Sequence, residues 1–145
     1  MTEPEKDFYM ALALAESRRA LPACRPNPPV GCVLVKNHTV IARGHTQPPG
    51  HDHAEAMALR QYTESLDDVA VFVTLEPCSF SGRTPSCALA LIARRPQAVF
   101  VAALDPHPRN RGAGIDLLRE AGIAVEVGVL AESVMQFIGP HLAEH

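Results

Sequence analysis

Two short segments of the chain carry residue types that can do chemistry in concert. His53-Ala54-Glu55 places an imidazole and a carboxylate two positions apart, and Pro77-Cys78 is followed, after eight intervening residues, by Cys87. One imidazole and two thiolates match Zn²⁺ in softness. Three protein ligands leave the fourth tetrahedral position to water or hydroxide, the pattern of a catalytic zinc site rather than a closed structural one. One ion per chain is therefore expected, held by His53, Cys78 and Cys87. Glu55 lies two residues beyond a ligand, near enough to reach a zinc-bound water without ligating the metal. Zinc lowers the pKa of its water from ~16 to roughly 7, and Glu55 would take that proton and pass it to a leaving group.

Blander readings compete at several of these positions. Asp52 and Glu55 alone form a capping-box pattern, so Glu55 by itself could be a helix-start residue; the two cysteines tip the reading toward chemistry. His51 could rival His53 for the metal, yet it precedes the expected helix cap and has no glutamate two residues on, so it reads as a polar loop residue. Cys32 reads as a packed small apolar side chain. Cys24, in a proline-rich loop, is undecided. Asp105-Pro106-His107-Pro108 leaves a strand at the active end, although Asp-Pro and His-Pro steps are also ordinary turn formers.

The elements that must position these residues can be read from periodicity and breakers. Thr2, Pro4 and Glu5 make a capping-box start for a helix from about Pro4 to Arg19, with Phe8, Leu12 and Ala15 at helical spacing. Pro22, Pro26, Pro28 and Pro29 then enforce a stiff loop. Val30 to Val35 and Val40 to Ala42, joined by a polar turn, read as a hairpin. A second helix is expected from His53 to about Tyr62 with Asp52 as its cap. Val69 to Leu75 is a buried strand ending at Glu76-Pro77, which delivers Cys78 at its C-terminal edge. Thr84 and Pro85 suit the cap and first turn of a helix through Arg94, with Cys87 in that first turn among N–H groups that favour a thiolate. His53, also at a helix start, should resist protonation. Ala98 to Leu104, a helix from Gly114 to Ala121 capped by Gly122, Ala124 to Val129, and a last helix from Ala131 to about Ile138 complete the pattern.

The later strand–helix alternation implies parallel pairing with right-handed crossovers. The expected architecture is a three-layer α/β/α sandwich whose five-stranded mixed sheet opens with an antiparallel hairpin. With 145 residues and 47% apolar content, the chain can close one core and reads as a single domain over 1–145. No apolar run reaches the roughly 18 residues of a membrane span, and Glu3, Glu5, Lys6 and Asp7 occupy the place of a secretory start. A soluble, cytoplasmic protein is expected. A net charge of −3 without a basic run argues against a nucleic-acid partner and for a small-molecule pocket. Four cysteines without signs of export favour metal ligation or burial over disulfides.

Zinc nucleobase deaminases carry His-Xaa-Glu with Pro-Cys-Xaa-Xaa-Cys, from which the eight residues between Cys78 and Cys87 depart. Three segments together resemble the deaminase domain of the bifunctional riboflavin-biosynthesis enzymes. They are Pro26-Asn27-Pro28-Pro29-Val30-Gly31-Cys32-Val33, His53-Ala54-Glu55, and Thr74-Leu75-Glu76-Pro77-Cys78-Ser79 leading into Gly82-Arg83-Thr84-Pro85-Ser86-Cys87. Asp105-Pro106, Gly112-Ala113-Gly114 and Ala121-Gly122-Ile123 extend the resemblance over nearly the whole chain. It implies a cytidine-deaminase fold and a homodimer. It implies that Asn27 faces the heterocycle or sugar, that Arg83 helps hold an anion such as a ribose phosphate, and that the reaction removes the 2-amino group of a diaminopyrimidinone ribosylamino phosphate as ammonia.

Several positions depart from that family. No reductase domain is expected to follow, Phe80 and Ser81 stand where two histidines are frequent, and Ser86 replaces a proline. Gly44-His45-Thr46 stands for an aromatic–histidine pair, and Cys24 for a threonine. These sit on expected pocket loops, so Phe80, Ser81 and Asp105 join Asn27 and Arg83 as expected substrate contacts. The same metal site would serve another free base or nucleoside of guanine or cytosine type, or a tRNA base. It would also serve a non-catalytic zinc-stabilised module with Cys24 or His51 as fourth ligand.

Overall fold

The computed structural model describes residues 1–82 and 84–143. Five strands form one mixed sheet: β1 (Gly31–Lys36), β2 (Thr39–His45), β3 (Val69–Leu75), β4 (Ala98–Ala103) and β5 (Ala124–Val127), in the order β2-β1-β3-β4-β5. β1 is antiparallel to both β2 and β3, while β3, β4 and β5 run parallel. The helices are α1 (Glu3–Ser17), α2 (Ala54–Arg60), α3 (Cys87–Arg94), α4 (Ala113–Glu120) and α5 (Ala131–Leu142). The architecture is the expected three-layer α/β/α sandwich with an N-terminal hairpin.

β3 shows why the layers form where they do. All seven of its residues are buried. Alternation along it sends Val69, Val71 and Val73 to the face covered by α2, α3 and α4, and Ala70 and Phe72 to the face covered by α1 and α5. Phe72 stacks on Phe100 of the parallel neighbour with centroids 4.7 Å apart and planes at 14°, a pair that ties β3 to β4 beneath α1 and α5.

Local signals set most element ends, with instructive exceptions. Thr2 Oγ1 accepts the Glu5 N–H at 3.3 Å and the Glu5 carboxylate accepts the Thr2 N–H at 3.1 Å, the reciprocal cap expected from sequence. The buried face of α1 is Tyr9, Met10, Ala13, Glu16 and Ser17, whereas Phe8 is 59% exposed. The period expected from Phe8, Leu12 and Ala15 is right and its phase is one residue off. Gly31 is the reason: it lets β1 approach so closely that any Cβ there would strike the Ala13 carbonyl. α1 stops at Ser17 and tightens into a single 3₁₀ turn, Arg18–Ala20, rather than running to Arg19.

Two expected helix caps are corrected. α2 is capped from position His53, not Asp52, whose carboxylate instead pairs with Arg60 at 2.6 Å and so braces the short helix along its length. α3 takes Ser86 as its cap, with Ser86 Oγ accepting the Leu89 N–H at 3.3 Å, and Cys87 is its first residue. Thr84 is released for another role. Both hairpin strands extend beyond expectation, to Lys36 and His45, while β4 and β5 end one and two residues early, at Ala103 and Val127.

Candidate active site

The C-terminal ends of β3 and β4 and the starts of α2 and α3 converge on one cleft. Open α/β sheets bind ligands at this end because the loops diverge there. β3 ends at Leu75, and Glu76 and Pro77 carry the chain to Cys78. Helix α2 approaches from across the sheet, held down by Gly44, where a Cβ would strike the Ala54 carbonyl. The approach sets His53 and Glu55 at the cleft floor.

His53 Nδ1 lies 3.4 Å from Cys87 Sγ and 3.8 Å from Cys78 Sγ, and the ligand atoms of the three residues all fall within 4.8 Å of one another. They are the one group of at least three potential metal ligands among the described residues. Cys24 is buried and Cys32 is buried in the core beneath α2, while His51 is exposed. Neither Cys24 nor His51 joins the group. One nitrogen and two sulfurs converging without a fourth ligand among the described residues fit a tetrahedral zinc ion with one open position. The other ring nitrogen of His53, Nε2, is 3.0 Å from Thr84 Oγ1. Thr84, expected as a helix cap, thereby orients the imidazole so that Nδ1 faces the thiols.

The charges in this cluster are strongly biased. The Cys78 thiol is held down at about 4 by its contacts with Cys87, including the Cys87 N–H at 3.3 Å, and by His53. The thiolate of this pair is therefore Cys78. Cys87 is pushed well above the ordinary thiol range, first by Cys78 and then by burial. The helix-start N–H expected to serve Cys87 serves its neighbour instead. His53 is raised, chiefly by its contact with Cys78, because a thiolate beside the ring outweighs the helix start that was expected to keep it neutral. A cation among these three would displace the proton from the ring and draw both sulfurs to thiolate.

Glu55 is 4% exposed and lines the cleft. Burial first, and the Cys78 thiolate second, push its carboxyl up to about 7 against the pull of His53. A group balanced there can both accept and return a proton near neutrality. The cleft encloses about 500 Å³, and its wall includes Asn27, Thr46, Phe80, Thr84, Asp105 and His107.

The residues expected to contact substrate are placed unequally. Asn27 lies on the cleft wall, its N–H donating to the Cys24 carbonyl at 2.9 Å. Phe80 also lies there, with the Arg109 guanidinium 4.1 Å from its ring centroid. Asp105 lines the cleft but is buried, one oxygen accepting the His107 N–H at 3.0 Å and the other Asn110 Nδ2 at 3.3 Å. Ser81 is exposed, is absent from the cleft wall, and accepts the Ser86 N–H at 3.3 Å. Arg83 lies outside the described residues.

Sequence reasoning passed over Glu76. Its buried carboxylate accepts four backbone N–H groups: Asp105 at 3.0 Å, Gly112 at 2.9 Å, Gly114 at 2.9 Å and Ile115 at 3.2 Å. It caps α4 and welds the Cys78 loop to the loop after β4. A carboxylate closing an otherwise apolar buried strand was the available signal, since such a charge must find donors.

The profile of the cytidine and deoxycytidylate deaminase zinc-binding region matches residues 3–103. "Riboflavin biosynthesis protein RibD" of Chlamydia muridarum is 44% identical over 93% of this chain, which covers 36% of that protein. A "Diaminohydroxyphosphoribosylamino-pyrimidine deaminase" of Buchnera aphidicola subsp. Schizaphis graminum is 35% identical over 90% of this chain and 88% of its own length. Among solved structures, Acinetobacter baumannii RibD superposes with a TM-score of 0.93 at 38% identity, covering 97% of this chain and 40% of that one. This chain thus spans little more than a third of its RibD relatives. On the profile match and the near-full-length relative, the chain belongs to the cytidine and deoxycytidylate deaminase family.

Proposed function

We propose that this chain is a zinc-dependent hydrolytic deaminase that removes an exocyclic amine from a small aminated pyrimidine. The observation that carries the reading is the convergence of His53, Cys78 and Cys87 within 4.8 Å at the floor of a cleft lined by buried Glu55. These three residues would hold one zinc ion per chain, with its fourth position left to water. When bound, the metal supplies a hydroxide equivalent at neutral pH.

The chain's own residues do the rest. Glu55 takes one proton from the attacking water and passes it to the ring nitrogen as the water oxygen bonds to the ring carbon; the remaining hydroxyl proton then goes, again through Glu55, to the exocyclic nitrogen, the C–N bond breaks, and ammonia leaves a carbonyl behind. Thr84 holds the imidazole, and the cleft wall at Asn27 and Phe80 places the ring. The riboflavin-pathway substrate, a diaminopyrimidinone ribosylamino phosphate, is favoured by the activity for which the Buchnera relative is named, a protein that this chain covers for 88% of its length. Arg83 is assigned to the phosphate of that substrate.

The same reading carries a small-molecule substrate and a cytoplasmic setting, with a homodimer resting on resemblance. No described helix is long and apolar enough to cross a membrane. The test is an ammonia-release panel of aminopyrimidines, guanine-type purines and cytosines, each with and without ribose phosphate. Turnover confined to the phosphorylated diaminopyrimidine supports the substrate, and turnover indifferent to phosphate refutes the role of Arg83. No ammonia from any member removes the reading altogether.

A further inference from the structure

Asn110 stands outside the ligand set and the cleft wall, yet it grips the chain on both sides of Cys78. It is 2% exposed. Its Oδ1 accepts the Ser79 N–H at 3.1 Å and the Gly114 N–H at 3.2 Å, and its Nδ2 donates to the Pro77 carbonyl at 3.2 Å and to Asp105 Oδ2 at 3.3 Å. Two N–H donors face one end of the amide and two oxygen acceptors face the other, so only one orientation of the group satisfies all four. The amide spends its full capacity on this bracket.

The bracket joins elements that are far apart in sequence. Pro77 and Ser79 flank Cys78, Gly114 is in the first turn of α4, and Asp105 follows β4. Gly114 packs so tightly here that a Cβ would strike the Pro77 carbonyl. From the other side, Cys78's own carbonyl accepts Ser86 Oγ at 2.8 Å and the Ala88 N–H at 3.0 Å. The peptide planes before and after Cys78 are therefore fixed by Asn110, and the residue itself is fixed to α3.

We infer that Asn110 is a positioning residue for the metal centre: by clamping the Pro77 carbonyl and the Ser79 N–H, it sets the direction in which Cys78 presents its sulfur to a bound metal. The inference rests on the zinc reading of His53, Cys78 and Cys87. Groups that orient a metal ligand typically change metal affinity about 10- to 100-fold when removed. Leucine has nearly the shape of asparagine without its polar atoms. Asn110→Leu therefore releases both peptides while filling the same space.

The experiment measures the zinc dissociation constant, and the visible absorption of the protein loaded with Co²⁺, for wild type, Asn110→Leu, Asn110→Asp and Val134→Ala. Val134 is buried against the opposite face of the sheet and serves as the control for lost stability alone. Both Asn110 variants are expected to bind zinc about 10-fold or more weakly and to shift the thiolate-to-cobalt band, while Val134→Ala keeps both at a comparable fall in Tm. Wild-type affinity and spectrum in Asn110→Leu would overturn the inference, as would an equal change in Val134→Ala. Should the leucine variant not fold, Asn110→Asp, which keeps the acceptor but not the donor to Pro77, is read by the same criteria. A wild-type chain that takes up neither zinc nor cobalt would instead overturn the metal reading beneath it.

Discussion

Thr84 Oγ1 lies 3.0 Å from Nε2 of His53, on the side of the ring away from the two sulfurs. A histidine that ligates through one nitrogen needs a partner on the other to hold its tautomer and its plane. Thr84→Val removes that partner at nearly constant volume and is expected to weaken zinc binding about 10-fold, whereas Thr84→Ser should stay near wild type. Competition against a chromogenic chelator measures both; equal affinity in all three proteins would show that the contact orients nothing.

Glu76 predicts a different kind of damage. Glu76→Ala leaves the N–H groups of Asp105, Gly112 and Ile115 without their acceptor, while that of Gly114 keeps Asn110 Oδ1 at 3.2 Å. A loss of at least about 3 kcal/mol in unfolding free energy is expected, since an orphaned buried donor costs roughly 1–3 kcal/mol and several are created at once. Urea denaturation reads this directly. A change under about 1 kcal/mol would mean that water replaces the carboxylate freely.

Much of this was legible in advance, and what was not has a common cause. The capping box at Thr2 and Glu5, the apolar run of β3 and the proline stop after it are local signals, and each placed its element. The convergence of His53, Cys78 and Cys87 and the place of Glu55 in the same cleft were legible because these residues lie in short segments whose residue types have few other uses together. Glu76 and Asn110 were not, because the donors that Glu76 satisfies lie 29 to 39 residues further on and those of Asn110 include Ser79, 31 residues back. The caps at Asp52 and Thr84 misled for the same reason. Arg60 claims Asp52 and His53 claims Thr84, and neither claim is visible in a window of four residues.

Gly44 tests the link from backbone approach to site. Gly44→Ala places a methyl against the Ala54 carbonyl and the Ala58 N–H, within the helix that carries Glu55. Overpacking of this kind costs about 1–3 kcal/mol, and the accompanying shift of α2 should reduce ammonia release more than it reduces stability. Activity measured well below the melting transition separates the two, and unaltered turnover would show that α2 has room to move.

The open character of the metal site is tested by removing the two residues that could have closed it. Cys24→Ser and His51→Ala are expected to retain zinc at wild-type affinity and stoichiometry, because neither side chain lies in the group of converging ligand atoms. Loss of metal from either protein would mean a fourth protein ligand and a structural ion.

In the proposed mechanism Glu55 moves the proton for a hydrolysis carried out at the site of His53, Cys78 and Cys87. Glu55→Gln keeps the size of the side chain and abolishes its basicity. The measurement is ammonia release from the best substrate of the panel by this variant, with zinc content determined on the same sample. Full zinc occupancy with turnover reduced by about 10²- to 10⁴-fold is the expected result; zinc-loaded Glu55→Gln releasing ammonia at the wild-type rate would contradict it.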